Sequence, residues 1–150
     1  MELTVSKLNR FVFFKLPSAF ICGVRLKSID KDKCVVTVKH RWINQNPFNS
    51  MYFAVQAMAA ELTTGAMVID KIQQSGKKIS MLVANNKSNF SKKATGRITF
   101  ECRDGHLIEE AIQKTIATGE GQTFWMKSIG TNEEGVQVSE MDFEWSIRLK

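Results

Sequence analysis

Apolar and polar side chains alternate in three stretches of this chain. From Cys34 to Trp42, the residues Val36, Val38, His40 and Trp42 share one parity against Thr37, Lys39 and Arg41. From about Thr95 to Arg103, Ile98, Phe100 and Cys102 oppose Arg97, Thr99 and Glu101. Near the end, Met141, Phe143, Trp145, Ile147 and Leu149 oppose Asp142, Glu144, Ser146 and Arg148 within a strand expected over Val136–Leu149. A period of two marks a strand with one wet face. Three further strands are expected: Phe20–Ile29, joined to the next by the turn Asp30-Lys31-Asp32-Lys33; Ile79 to about Phe90, after the turn Ser75-Gly76-Lys77-Lys78; and Gln122–Ile129, joined to the last strand by Asn132-Glu133-Glu134-Gly135.

Between Met51 and Ile72 the period changes to that of a helix. At 3.6 residues per turn, Ala54, Ala57, Met58, Gly65, Val68 and Ile72 fall on one stripe. Glu61 is the only charge between Ile43 and Ile69, and it lies on that same apolar stripe. The opposite stripe, Tyr52, Gln56, Thr63 and Asp70, is where a solvated acid is expected. Burying an unpaired carboxylate is unfavourable, and the usual response is a raised pKa. Such a group can take a proton near neutral pH. The competing reading is a structural acid neutralised by a buried lysine, arginine or amide. A shorter helix is expected over His106–Ala117, where Leu107, Ile108, Ala111, Ile112 and Ile116 share a face and Gly119 marks the end.

The predicted fold class is therefore α+β, an antiparallel sheet of about six strands wrapped around one long central helix. With 150 residues, the chain reads as a single domain, 1–150. Formal net charge is +6, which favours anionic partners, but the basic residues are dispersed and no arginine-rich arm stands out. No nucleic-acid partner is expected. Three cysteines, Cys22, Cys34 and Cys102, lack C-x-x-C spacing, so neither a disulfide framework nor a zinc site is suggested. The apolar run Phe11 to Phe14 is too short for a signal segment, and Gln56, Glu61, Thr63, Thr64 and Gly65 make the long helix a poor membrane span. The expectation is a cytoplasmic protein without a membrane partner. No nucleophile elbow, Gly-rich phosphate loop or metal-spaced cluster is present in the sequence, and Cys102 with His106 is a weak thiol pair.

The small residues Ala54, Ala57, Ala59, Ala60 and Gly65 would let a sheet approach the helix closely, as in the hotdog fold. The segment from Asn46-Pro47-Phe48-Asn49-Ser50 through Met51-Tyr52-Phe53-Ala54 to Glu61 resembles the loop and helix start of hotdog acyl-CoA thioesterases of the phenylacetate-pathway type. Those read asparagine, five residues, His-Gly-Gly, then an acid on the helix. The later Asn89-Phe90-Ser91-Lys92-Lys93-Ala94-Thr95-Gly96 is similar to that family's strand ending in an aromatic, a basic residue and a glycine turn. Asn46 and Glu61 match the asparagine and the acid, whereas Tyr52, Phe53 and Ala54 stand where the family has His-Gly-Gly. The departure resembles a poorly characterised thioesterase-like branch of the superfamily.

What the resemblance implies is hydrolysis of an acyl-CoA thioester. Glu61 would act as base or nucleophile, and Asn46 would position water or the acyl group. Backbone N–H groups at the helix start, around Tyr52, Phe53 and Ala54, would form the oxyanion hole. Lys92 and Lys93 would meet the phosphates of coenzyme A, which enters only as part of the substrate; no separate cofactor or metal is implied. Two protomers would pair through the strand Ile79 to Phe90 as a homodimer, or further as a tetramer, and Ser50 would cap the helix and leave Asn46 or Asn49 free. The alternative is the same fold holding an acyl-CoA or lipid-like ligand without cleaving it. Each residue also has a plainer reading: Asn46 shapes a turn before Pro47, Tyr52 and Phe53 line a core or pocket, and Lys92 and Lys93 form a solvated strand end.

Overall fold

Six strands pair antiparallel into one sheet in the computed structural model, which describes residues 3–150. In chain order the elements are α1 (Val5–Lys15), α2 (Pro17–Ile21), β1 (Arg25–Ile29), β2 (Cys34–Lys39), a 3-10 turn (Trp42–Asn44), α3 (Phe53–Ser75), β3 (Ile79–Phe90), β4 (Arg97–Cys102), α4 (Gly105–Thr118), β5 (Gln122–Thr131) and β6 (Gln137–Leu149). The strand order is β1-β2-β4-β5-β6-β3. α3 packs against β1, β2, β4, β5 and β6. This is the α+β hotdog arrangement expected from the pattern of the chain.

The core lies between α3 and the sheet. Fully buried Val36, Val38, Ile98, Phe100, Met126, Met141 and Ile147 meet Ala59, Ala60, Ala66, Met67 and Val68. Alanines on that side of the helix bring its backbone close to the sheet, so the layer is thin and closely packed. β3 is held on one side only, by β6, and from Ala84 to Phe90 its residues are exposed.

Three expectations need correction. The N-terminal segment folds into α1 and α2, which the pattern did not reveal, and the first strand begins at Arg25 instead of Phe20. Thr4 caps α1 by accepting from the Lys7 N–H, and Leu8 and Val12 are its only buried side chains. That narrow apolar stripe is masked in sequence by the exposed Phe11, Phe13 and Phe14. Pro17 then disfavours helix at Leu16 and starts α2 as its first residue. The second strand ends at Lys39, three residues before Trp42, which is 80% exposed. The cause is buried Asn44, whose amide donates to the Cys22 and Lys39 carbonyls at 2.9 Å each and whose oxygen accepts the Arg41 N–H at 2.8 Å.

The third correction concerns the sidedness of α3. Of the stripe expected to be wet, Tyr52 is exposed, but Gln56, Thr63 and Asp70 are buried, at 4%, 0% and 8% exposure. The Thr63 hydroxyl satisfies itself on the Ala60 carbonyl at 2.6 Å and on Ser128 at 2.9 Å, so it enters the core at little cost. Ala54, Ala57, Met58, Glu61 and Ile72 are only half-buried. The apolar stripe that carries Glu61 is thus incompletely covered by this single chain from Ala54 to Glu61, while Gly65 and Val68 further along it are buried.

Candidate functional site

Glu61 lines a cavity of ≈ 230 Å³ together with Met58 and the segment Lys15 to Ala19. The junction between α1 and α2 forms the opposite wall. Among the described residues no hydrogen bond or ion pair reaches the Glu61 carboxylate. Burial alone pushes its pKa up, from the ordinary carboxylate range to about 7. Gly65, one turn further along α3, makes the space for it: a β-carbon there would stand 2.9 Å from Glu61 Oε1 and 3.2 Å from Trp145 Cζ2. Trp145 is fixed in turn by donating its indole N–H to Thr64 Oγ1 at 2.9 Å. The arrangement is a carboxylate that exchanges its proton near neutrality beside an open space.

A second cavity, of ≈ 360 Å³, gathers Asn46, Phe53, Lys92 and Lys93 with Gln56 and Phe90. Four of the residues picked out in the sequence therefore meet. Tyr52 is the N-cap of α3 and offers no side-chain cap. Its carbonyl accepts from Val55 and Gln56, which leaves the N–H groups of Phe53 and Ala54 without partners among the described residues. These are the free donors expected of a helix start. Tyr52, Phe53 and Phe90 form an aromatic chain beside them, with ring centroids 5.0 and 6.2 Å apart. Lys92 is exposed, and the Lys93 ammonium donates to the Phe48 carbonyl at 3.3 Å.

Asn46 and Ser50 are placed otherwise than expected. Ser50 does not cap α3; its hydroxyl bonds to Asn46, whose Nδ2 donates to Ser50 Oγ at 2.9 Å and to the Met51 carbonyl at 3.3 Å. Asn46 Oδ1 accepts the N–H groups of Phe48 and Ser50. The amide is committed to its own turn, so Asn46 is not left free for substrate and acts by shaping the loop that leads into α3. The residue that sequence reasoning missed is Gln56. It is 4% exposed, its Nε2 points at the Met51 carbonyl at 3.5 Å, and its Oε1 has no partner. Because Met51 supplies an acceptor, the amide must turn its NH₂ there and its carbonyl oxygen remains available. The signal is an amide near the helix start in a stretch whose sole charge is Glu61, and a place on the stripe expected to be wet hides it.

Glu61 and the helix start do not share a cavity in one chain. Phe53 and Glu61 are separated by two helical turns, a rise of about 12 Å at 1.5 Å per residue, far beyond the reach of one carbonyl group. Burial works against the Cys102–His106 thiol pair: it pushes Cys102 up to about 12 and Cys34 higher still. Among the described residues no three His, Cys, Asp or Glu side chains converge on a metal position, and no helix is long and apolar enough to cross a membrane.

Several solved structures share the whole fold. A protein of unknown function from Pseudomonas aeruginosa, described as a probable thioesterase, is 21% identical with a TM-score of 0.84, over 100% of this chain and 99% of that one. A protein of unknown function from Chlorobaculum tepidum TLS is 17% identical, TM-score 0.84, over 99% of each chain. A thioesterase from Haemophilus influenzae is 13% identical, TM-score 0.77, over 99% of this chain and 93% of that one. At these identities the likeness is one of fold. No curated protein matches the sequence. Residues 5–147 match the family model described as "Domain of unknown function (DUF4442)".

Proposed function

The chain belongs to the DUF4442 family, and from that premise we propose that it is an acyl-CoA thioesterase related to the phenylacetate-pathway type. The observation that carries this reading is Glu61, an unpaired carboxylate raised to about 7 beside a cavity. In the proposed step Glu61 takes a proton from water as the water oxygen attacks the thioester carbon. The carbonyl oxygen gains negative charge against the Phe53 and Ala54 N–H groups, the C–S bond breaks, and the coenzyme A thiolate receives the proton from Glu61. Direct attack by Glu61, through a mixed anhydride that water then hydrolyses, is the other route open to the same residue.

The separation of Glu61 from the helix start argues that the reacting groups come from two copies of the chain. Pairing through the free side of β3 would extend the sheet, hide an unpaired strand edge and cover the half-buried stripe of α3. Lys92 and Lys93 would hold coenzyme A phosphates at the mouth of the larger cavity, with Gln56 Oε1 accepting from an amide N–H of the ligand. A second reading, binding without cleavage, is favoured by the aromatic chain Tyr52-Phe53-Phe90 crowding the helix start.

A panel of acyl-CoA thioesters, assayed with wild type, Glu61→Gln and Glu61→Ala, decides between them. Hydrolysis that rises with pH through about 7 and collapses in both variants supports the thioesterase. Turnover indifferent to either substitution would falsify the role of Glu61. A thermal shift with coenzyme A but no turnover of any thioester selects the binding protein.

A further inference from the structure

Away from both cavities, a cleft of ≈ 230 Å³ is lined by Gly23, Arg25, Lys39, Arg41 and Arg97: four cations and no acid. Several cations elsewhere in the molecule are paired with acids. Lys33 and Arg103 meet Glu101, Lys71 meets Glu109, and Lys127 meets Glu140 and Asp142. None of the four cleft cations has a carboxylate within ion-pair distance among the described residues. Glu133, the acid that approaches the rim, accepts the Arg97 backbone N–H at 2.7 Å instead of a guanidinium.

The cluster is built at a cost. Lys39 and Arg97 stand directly opposite each other on β2 and β4, a cross-strand pairing of like charges that weakens a sheet. Arg25 is clamped in place, with Nη1 donating to the Phe20 and Val24 carbonyls at 2.8 Å and the guanidinium 3.6 Å above the Phe20 ring. Burial and the neighbouring Arg41 both weaken its hold on its proton. Arg41 lies against Gly23, in the place a side chain would take: a β-carbon there would be 2.5 Å from Arg41 Nη2, and the glycine's φ of +93° suits no other residue well. Three separate segments thus converge positive charge on one space without an internal counter-charge.

We propose that this cleft binds a phosphate group carrying two or more negative charges, as a phosphate monoester or diphosphate of a small molecule. Guanidinium forks match phosphate oxygens in geometry, and Arg25 is already oriented. The bound anion offsets the repulsion between Lys39 and Arg97. At ≈ 230 Å³ the cleft has room for such a group with a few waters, each occupying about 30 Å³ in the liquid. The proposal is independent of thioester hydrolysis.

Calorimetric titration with pyrophosphate at low ionic strength tests it, using wild type, the double variant Arg41→Gln/Arg97→Gln, and the control Lys77→Gln/Lys78→Gln on the turn after α3. Both variants remove two positive charges, and circular dichroism establishes that each is folded. Pyrophosphate affinity at least tenfold weaker in the cleft variant, with the control within twofold of wild type, supports the site. Parallel titrations with adenosine 3′,5′-bisphosphate and with inorganic phosphate then tell a nucleotide source from a free anion. Equal weakening in both variants, no pyrophosphate binding by wild type, or binding of a short RNA duplex in its place overturns the proposal.

Discussion

Asp70 and Glu61 are both carboxylates on α3, yet their surroundings have little in common. Asp70 is 8% exposed and fully occupied: Oδ1 accepts the Leu3 N–H at 2.9 Å and Oδ2 the Gln74 amide at 2.7 Å. It ties the start of the chain to the central helix. Glu61 is less buried but has no partner among the described residues and faces a cavity. Depth alone therefore does not make a reactive acid; the supply of hydrogen-bond donors does. An acid surrounded by donors is architecture, whereas one denied them retains a proton affinity useful to chemistry.

That contrast breaks most decisively in a rate measurement. Glu61→Gln should lower kcat/KM for acyl-CoA hydrolysis by about 10²–10⁴-fold, the usual worth of a general base, while Asp70→Asn keeps its turnover. Comparable losses in both, in folded protein, would erase the distinction. Stability should respond in the opposite sense. Because the folded-state pKa of Glu61 lies above its unfolded value, ionisation opposes folding as pH rises from 4.5 through about 7. Glu61→Gln removes that penalty, and urea unfolding should find it more stable than wild type by about 2–3 kcal/mol at pH 8, with no gain at pH 3.5. An unchanged difference across that range would mean that the carboxylate is solvated.

Asp70→Ala should cost about 2 kcal/mol at neutral pH through loss of hydrogen bonds to a charged group, read as a lower urea midpoint with unaltered hydrolysis. The smallest effect is expected for Gly65→Ala. Crowding of Glu61 and Trp145 outweighs the better helix propensity of alanine by about 1 kcal/mol. The sharper sign of that crowding is a displaced pH midpoint for turnover.

Three strands and the two longer helices are legible from their period, and the turns around them mark the remaining strands. Strand β3 was read at its observed bounds, Ile79 to Phe90, and α4 within a residue at each end. Helix α1 was not legible, since two buried residues, Leu8 and Val12, cannot form a visible stripe among exposed phenylalanines. Glu61 stood out as a lone charge, and that oddity survived even though the face it occupies was taken for the drier one. Periodicity locates a stripe but not which side the fold will cover, because the partners that let polar residues be buried come from separate segments: Ser128 of β5 for Thr63, and Leu3 together with Gln74 for Asp70. The cavity wall supplied by Lys15 to Ala19 could not be foreseen without α1 and α2, and the cationic cleft depends on a β2–β4 register that composition does not encode.

Trp145 borders the same small gap at Gly65 as the Glu61 carboxylate, and it is 4% exposed, whereas Trp42 is 80% exposed. An indole shielded in this way emits at shorter wavelength than one in water, and a negative charge appearing beside it perturbs its excited state. The protein thereby carries its own fluorophore for the ionisation of Glu61. With Trp42 and Trp125 replaced by phenylalanine, a spectroscopic titration of unlabelled material reads the acid with no substrate present.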